Sequence, residues 1–348
     1  MIACEVCGTT FKTAQGLAGH RRLRHGPDRL IEDMGSALTG KQLRRKVLNR
    51  VGEKLADTLA EAIMQIHGQD IWEACLDDLA AQGLDLRSAG SYGSVKAIIV
   101  AAGKSDQLLP LTSDRPDCLL KIGNKTILSR ELENLRACGI RDIAVVRGYR
   151  GDMIKYPAIR YYENDDYRNT GILSSLFYAK AEMDSDFIFC YSDIVYTREV
   201  LDLLLQDQSD VSVVVDTAWE DHYLQRKQHP VSEAELVRVE GDRVAEIGRD
   251  IIPAHEAHGE FIGLAKFSKR GAETLKVIHD WATLDYSGRP FHTSPSVDKA
   301  SFTDLIQELV DQGYPVRHID ISGGWAEIDT VEDFDRVNSQ FHTILKLN

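Results

Sequence analysis

An α/β fold with a mostly parallel sheet is predicted for the larger, C-terminal part of this chain. Two observations predict it. Six apolar runs of strand length, near Val95–Ala101, Ile143–Arg147, Phe187–Tyr191, Val211–Val215, Phe261–Phe267 and Val316–Ile321, alternate with amphipathic patterns near 126–138, 172–182, 198–206, 269–281, 301–312 and 331–345. Such alternation implies a sheet covered by helices on both faces. The composition, 43% hydrophobic and 27% charged, is that of an ordinary globular protein. At 348 residues the chain exceeds what one core usually supports, so more than one unit is expected.

The N-terminal segment, residues 1–27, reads Cys4-x2-Cys7-x12-His20-x4-His25 with Phe11 and Leu17 between the pairs. Zinc takes four soft or borderline ligands in a tetrahedron, and a ββα unit this small needs the metal to stay folded. A structural Zn²⁺ at Cys4, Cys7, His20 and His25 is therefore expected. The helix string around His20 resembles the fingers of plant transcription factors, and Arg21, Arg22, Arg24 and Arg29 follow. The base-reading positions, however, fall on Thr13, Gly16 and Gly19, and two glycines offer no side chain to a base edge. A structural or protein-contact role is preferred over nucleic-acid binding.

Residues 28–92 read as helical. Thr39 and Gln42 fit a capping box, and Leu43, Val47, Leu48, Val51, Leu55, Leu59, Ile63 and Ile66 form one apolar stripe ending at Gly68. A second helix is expected from Ile71 to Gly83. The hairpin would pack on the next domain or form a homo-oligomer surface; both remain open. Gly90–Ser94 reads as a linker into the third domain, 93–348.

The net charge of −13 argues against a chain-wide role on nucleic acid or membranes. No run of eighteen apolar residues exists, and the first residues lack the design of a secretory signal. Cys75, Cys118, Cys138 and Cys190 are scattered in apolar stretches and read as reduced, buried side chains. A cytoplasmic location is expected.

Chemistry concentrates in the third domain. The strand ending at Val100 runs into Ala101-Ala102-Gly103-Lys104-Ser105, then Pro110-Leu111-Thr112 and Asp114-Arg115-Pro116. A small-residue turn after a first strand lets backbone N–H groups approach a triphosphate, with Lys104, Arg115 and Lys121 to neutralise it. Tyr191-Ser192-Asp193 closes an apolar strand, which puts the Asp193 carboxylate at the carboxyl edge of the sheet, where open α/β folds bind ligands. Glu327 and Asp329 are two apart, so in an extended segment they point the same way.

The loop resembles the signature of the nucleotide-sugar pyrophosphorylase superfamily. Later blocks are similar to its phosphocholine and phosphonate cytidylyltransferase branch: Asn164 through Leu176, Asp216-x2-Trp219-x3-Tyr223-x2-Arg226 with His229-Pro230 and Glu233-Ala234-Glu235, Gly259–Leu264, and Trp325–Thr330. The resemblance covers about 95–345. It implies a Rossmann-like nucleotidyltransferase sheet and transfer of CMP from CTP to a small phosphonate or phosphocholine-like acceptor, with pyrophosphate released. It also implies Mg²⁺ held by Asp193 and Asp329 with Glu327 beside them. Nucleotide contacts would come from Ala101, Ala102, Gly103, Ser105, Thr170, Gly171 and Ser174, Thr170 doubling as a helix cap. Acceptor contacts would come from Asp216, Trp219, Tyr223 and Arg226. The chain departs from the pattern at Ser105, at Gln107 where an arginine is expected, and at Asp117 where a lysine is expected. Lys104, Arg115 or Lys121 would then carry the catalytic charge. The alternatives are a sugar-1-phosphate nucleotidyltransferase, a catalytically silent nucleotide-binding protein, and a nucleic-acid-associated regulator acting through the finger.

Overall fold

The computed structural model describes residues 2–3, 10–11, 95–224 and 226–345. The chain divides into two compact units, Met1–Arg87 and Ser88–Asn348. In the first, β1 (Ile2–Ala3) pairs antiparallel with β2 (Thr10–Phe11). The expected zinc ligands Cys4, Cys7, His20 and His25, the helical segment 28–92 and Cys75 lie outside the described residues.

The second unit is built on a nine-stranded sheet. Third from one edge is β3 (Lys96–Ala101), a run of small and β-branched residues buried from Ala97 onward. Alternation along β3 feeds two cores. Ile98 and Val100 join one with Leu173 and Leu176 of α2 (Ile172–Tyr178), Ala272 and Leu275 of α5 (Lys269–Asp285), and Phe302 and Leu305 of α6 (Phe302–Asp311). Ala97, Ile99 and Ala101 join the other with Leu128 and Leu132 of α1 (Ile127–Ala137) and Leu201 and Leu204 of α3 (Arg198–Gln206). The sheet is thus covered on both faces, as the alternation predicts.

Strand direction departs from the expectation. β3 runs parallel to β6 (Asp142–Arg147) and β8 (Phe187–Tyr191), and β6 to β7 (Arg160–Glu163). β10 (Val211–Asp216) runs parallel to β14 (Arg317–Ile321). Between these blocks lie β11 (Glu235–Glu240), β12 (Arg243–Arg249) and β13 (Gly259–Phe267), in the order β10-β14-β12-β11-β13-β8-β3-β6-β7. β13 is antiparallel to both β8 and β10, so the sheet is mixed rather than mostly parallel. The reason is local: β11 and β12 alternate apolar with charged residues and turn at Gly241, whose φ is +64°. They form a hairpin that continuous apolar runs do not reveal.

Two short strands matter for the site. β9 (Ile194–Tyr196) pairs antiparallel with β15 (Trp325–Glu327). Helix α7 (Val331–Ile344) then starts with a capping box between Thr330 and Asp333. Cys118, Cys138 and Cys190 are free and buried, as expected. Among the described residues no helix is long and apolar enough to cross a membrane.

The end of the sheet opposite the site is tied by Glu182. Lys96 Nζ at 3.1 Å, Arg160 Nε at 2.6 Å and Tyr162 Oη at 2.5 Å all donate to its carboxylate. Burial alone would raise the Glu182 pKa, but the donors outweigh it and hold the group at about 2. A carboxyl depressed in the fold contributes stability above its unfolded pKa and loses it as pH falls through the folded value. Glu182→Gln should therefore be less stable than wild type at neutral pH, and the gap should close as pH falls from 4.5 towards about 2. Denaturant midpoints across that range test this; a gap independent of pH would mean the carboxylate charge is irrelevant.

Candidate active site

The β9–β15 ladder assembles the acids. Glu327 lies opposite Ile194, and the next bond, Ile328 N–H to the Asp193 carbonyl at 2.9 Å, carries the pairing to the end of β8. Asp193 and, far from it in sequence, Glu327 and Asp329 are thereby gathered at one cavity of about 470 Å³. The loop after β3 is held against the same group. Ser105 Oγ donates to the Asp329 carbonyl at 3.3 Å, Thr112 Oγ1 to the Ser105 carbonyl at 2.9 Å, and Tyr149 N–H to the Ala102 carbonyl at 3.0 Å. Gly103 is exposed, with open space where a Cβ would stand. A larger depression of about 740 Å³, between Thr197, Thr217 and Gly324, has none of these acids in its wall.

The electrostatics are those of uncompensated negative charge. Burial first, then Asp117 and Glu327, push Asp193 up to about 8. Burial, Glu327 and Asp193 raise Asp329 well above the carboxylate range. Asp117, at the position where a lysine was expected, accepts from Cys118 N–H at 2.6 Å and is raised to about 6 by burial. Its charge bears on Asp193 rather than opposing it. Three of the acids the sequence singled out and the departure it flagged thus meet at one point.

The proposed catalytic cations lie elsewhere. Lys104 Nζ pairs with Asp106 at 2.6 Å, Arg115 Nε with Asp114 at 2.9 Å, and Lys121 is exposed on the two-residue strand β4 (Lys121–Ile122). None of the three lines the cavity; its cations are Arg249 and Lys299. Arg249 ends β12, one of the strands the apolar pattern does not reveal. Lys299 belongs to a tight turn, Val297–Lys299, with no repeat or motif to mark it.

Thr170, Gly171 and Ser174 brace the cavity wall. Gly171 N–H and Ser174 Oγ donate to the Asp298 carbonyl at 2.6 and 3.0 Å, and a Cβ on Gly171 would stand 2.4 Å from the Ala300 carbonyl oxygen. Only glycine permits that approach. The expected cap is displaced by one residue. Gly171 itself is the N-cap of α2, with no side-chain cap, because Thr170 Oγ1 is engaged with Asn164 Nδ2 at 2.9 Å and the Asp166 carbonyl at 3.0 Å.

The four expected acceptor residues lie outside the cavity wall and hold other groups in place. Asp216 is fully buried, accepting from Ala218 N–H, Gly323 N–H and Trp325 Nε1 at 3.0, 2.9 and 2.7 Å. Trp219 is buried against Ala234, Leu236 and Ile252. Tyr223 Oη donates to Glu260 Oε1 at 2.5 Å. Arg226 puts Nη1 on Glu327 Oε1 at 2.8 Å and Nη2 on Asp333 Oδ2 at 2.9 Å. A buried guanidinium needs carboxylates and a buried carboxylate needs donors, so this block satisfies itself. It supports Glu260 and Glu327 from behind. The cavity side carries two acids from the family-like blocks that were given no role, Glu235, which accepts from Tyr191 Oη at 2.9 Å and Thr303 Oγ1 at 2.7 Å, and Glu260, together with Arg249 and Lys299, which the pattern did not single out.

Residues 97–258 match the family model of the MobA-like NTP transferase domain. This part of the chain is similar to nucleotidyltransferase domains. The chain is 29% identical over 252 residues to the CTP:phosphoglutamine cytidylyltransferase of Campylobacter jejuni, covering 69% of this chain and 98% of that protein. It is 29% identical over 109 residues to the 2-aminoethylphosphonate cytidylyltransferase of Lancefieldella rimae, covering 30% of this chain and 44% of that one. Among solved structures, the fold matches the CTP:phosphocholine cytidylyltransferase of Streptococcus pneumoniae with a TM-score of 0.55 and 22% identity, covering 71% of this chain and 99% of that one.

Proposed function

We propose that this domain transfers CMP from CTP to a small acceptor carrying a phosphonate or phosphate, releasing pyrophosphate. The observation that carries the reading is the convergence of Asp193, Glu327 and Asp329 beside the loop after β3, at the mouth of a cavity with two cations. The similarity to cytidylyltransferases supports the choice of nucleotide. The acids fit a divalent cation: three carboxylates crowd one cavity, and Asp193 is raised to about 8 by burial and its neighbours' charge, a strain that Mg²⁺ would relieve. When bound, such a cation would neutralise the triphosphate and polarise the α-phosphoryl group.

The remaining work falls to positioning. Backbone N–H groups at Ala101, Ala102 and Gly103 would meet the triphosphate, with Lys104 swinging in from its exposed pair with Asp106. The Lys104–Asp106 pair is exposed and so holds the ammonium weakly. Arg249 and Lys299 suit the anionic end of the acceptor, while Glu235 and Glu260 suit an ammonium group at its other end. An acceptor bearing both charges is thus favoured over a neutral sugar phosphate. Incubation with each NTP, Mg²⁺ and a panel of phosphonates and phosphomonoesters, with pyrophosphate as readout, tests the reading; release with another NTP and a sugar phosphate would replace it.

Asp117 beside Asp193 favours a second reading, a nucleotide-binding domain without turnover. The two separate by mutation. If the domain is an enzyme, Lys104→Ala should lower the rate by about 10²–10³, the usual worth of a donor aimed at developing charge, and Asp117→Lys should change it modestly. An inactive wild type switched on by Asp117→Lys alone would establish the silent reading.

A further inference from the structure

We propose that His229 supplies a nitrogen ligand to the divalent cation at Glu327 and Asp329. The site would then be of mixed nitrogen and oxygen character, preferring first-row transition cations such as Mn²⁺ over Mg²⁺. His229 is 4% exposed, and neither ring nitrogen has a hydrogen-bond partner. Leaving both unsatisfied in the interior is costly. The ring faces acids on both edges. Nδ1 lies 3.4 Å from Asp329 Oδ2 and 3.8 Å from Asp333 Oδ2, and Nε2 lies 3.5 Å from Glu327 Oε1. These separations are too long for good hydrogen bonds.

The 3.4 Å between Nδ1 and Asp329 Oδ2 suits two atoms sharing an ion. Donors bound at about 2.0–2.2 Å stand roughly 3.0 Å apart at a right angle and roughly 3.4 Å apart at the tetrahedral angle. One ligand atom each from His229, Glu327 and Asp329 can be chosen with all three within 4.8 Å of one another. Asp333 is not needed for the ion, because Thr330 and Arg226 already occupy both its oxygens; Arg226 takes only Oε1 of Glu327, which leaves Oε2 for an ion.

The histidine is also held in place. The backbone N–H groups of Lys227 and Gln228 donate to Glu332 at 2.7 and 2.8 Å, fastening the segment before His229 to the start of α7. Two other histidine–carboxylate groups among the described residues contrast with it. His258 and His318 already reach Asp320 at 2.9 and 2.7 Å, and His292 reaches Glu308 at 2.9 Å. Their rings are satisfied without an ion; that of His229 is not. Imidazole nitrogen disfavours a hard cation such as Mg²⁺ relative to first-row transition ions.

The inference rests on Glu327 and Asp329 being cation-facing acids, not on the nucleotide or acceptor. The test is Mn²⁺ binding to the full-length protein without nucleotide, followed by the loss of the free-ion electron paramagnetic resonance signal. Mn²⁺ is chosen because the Cys4, Cys7, His20 and His25 set, filled with zinc, would compete for softer ions. The expected result is Mn²⁺ bound at least tenfold more tightly than Mg²⁺, with histidine nitrogen modulation in the spin echo of the wild-type complex. His229→Asn should abolish that modulation and weaken Mn²⁺ at least tenfold. No bound Mn²⁺, equal affinity for the two ions, a wild-type echo without nitrogen, or modulation that survives in His229→Asn would overturn it. Pyrophosphate release in Mg²⁺ is measured in parallel. Turnover with an oxygen-only Mn²⁺ complex sinks this inference alone, and a nitrogen-ligated ion without turnover on any NTP sinks the transferase reading alone.

Discussion

Asp193→Asn and Asp329→Asn should each lower pyrophosphate release by at least about 10² while leaving the fold intact. The two carboxylates stand in a cluster with Glu327 where burial and like charge raise both their pKa values. Neither side chain builds the core, so an amide in its place costs little packing. On the function proposed above it removes a metal ligand at the point where charge develops on the transferred phosphoryl group, and one such interaction typically contributes about 10²–10³ in rate. The metal-free variants should be at least as stable as wild type, because each amide removes one of several repelling charges. Mg²⁺ should raise the melting temperature of wild type more than that of either variant. Initial rates and melting curves with and without Mg²⁺ check both halves. A variant keeping more than about a tenth of the rate, a barrier change of about 1.4 kcal/mol, is not an essential ligand.

Arg226→Leu should destabilise the domain by about 3–5 kcal/mol, the usual result of removing one partner from a buried ion pair. The Arg226 side chain is 1% exposed and Asp333 is fully buried. Without the guanidinium, Asp333 keeps Thr330 and the longer 3.5 Å contact to Arg336 but loses its close counter-charge, and Glu327 loses the 2.8 Å contact that fixes its position. Urea midpoints measure the loss, and CTP-dependent rates on the surviving folded protein should fall because Glu327 is misplaced. The alternative, an acceptor clamp, makes a different prediction: full stability with a raised KM for the acceptor alone. That outcome would return Arg226 to the binding surface and require the ion pairs with Glu327 and Asp333 to open during binding.

The sequence by itself determined the elements whose signal is local. Phe187–Tyr191 and Arg198–Gln206 form the strand and helix their apolar patterns specify, since a continuous apolar run or a three-and-four-residue stripe can be buried in only one way. The same holds for the acids. Asp193 closes an apolar strand, and Glu327 and Asp329 sit two apart in an extended segment, so each one's local direction follows from the chain. What only the tertiary structure decided is who faces whom. The direction of β13 depends on strands distant in sequence, and β11 and β12 hide behind alternating charges that a period-two surface strand shares with loops. Asp216 and Arg226 carry the charges that invite a ligand, yet burial satisfies them with Trp325, Asp333 and Glu327. Arg249, Lys299 and His229 gain their meaning from neighbours brought up by the β9–β15 ladder and the hairpin. A side chain's chemistry is written in the sequence, but its free energy depends on its desolvation and its partners, and those are set by long-range packing.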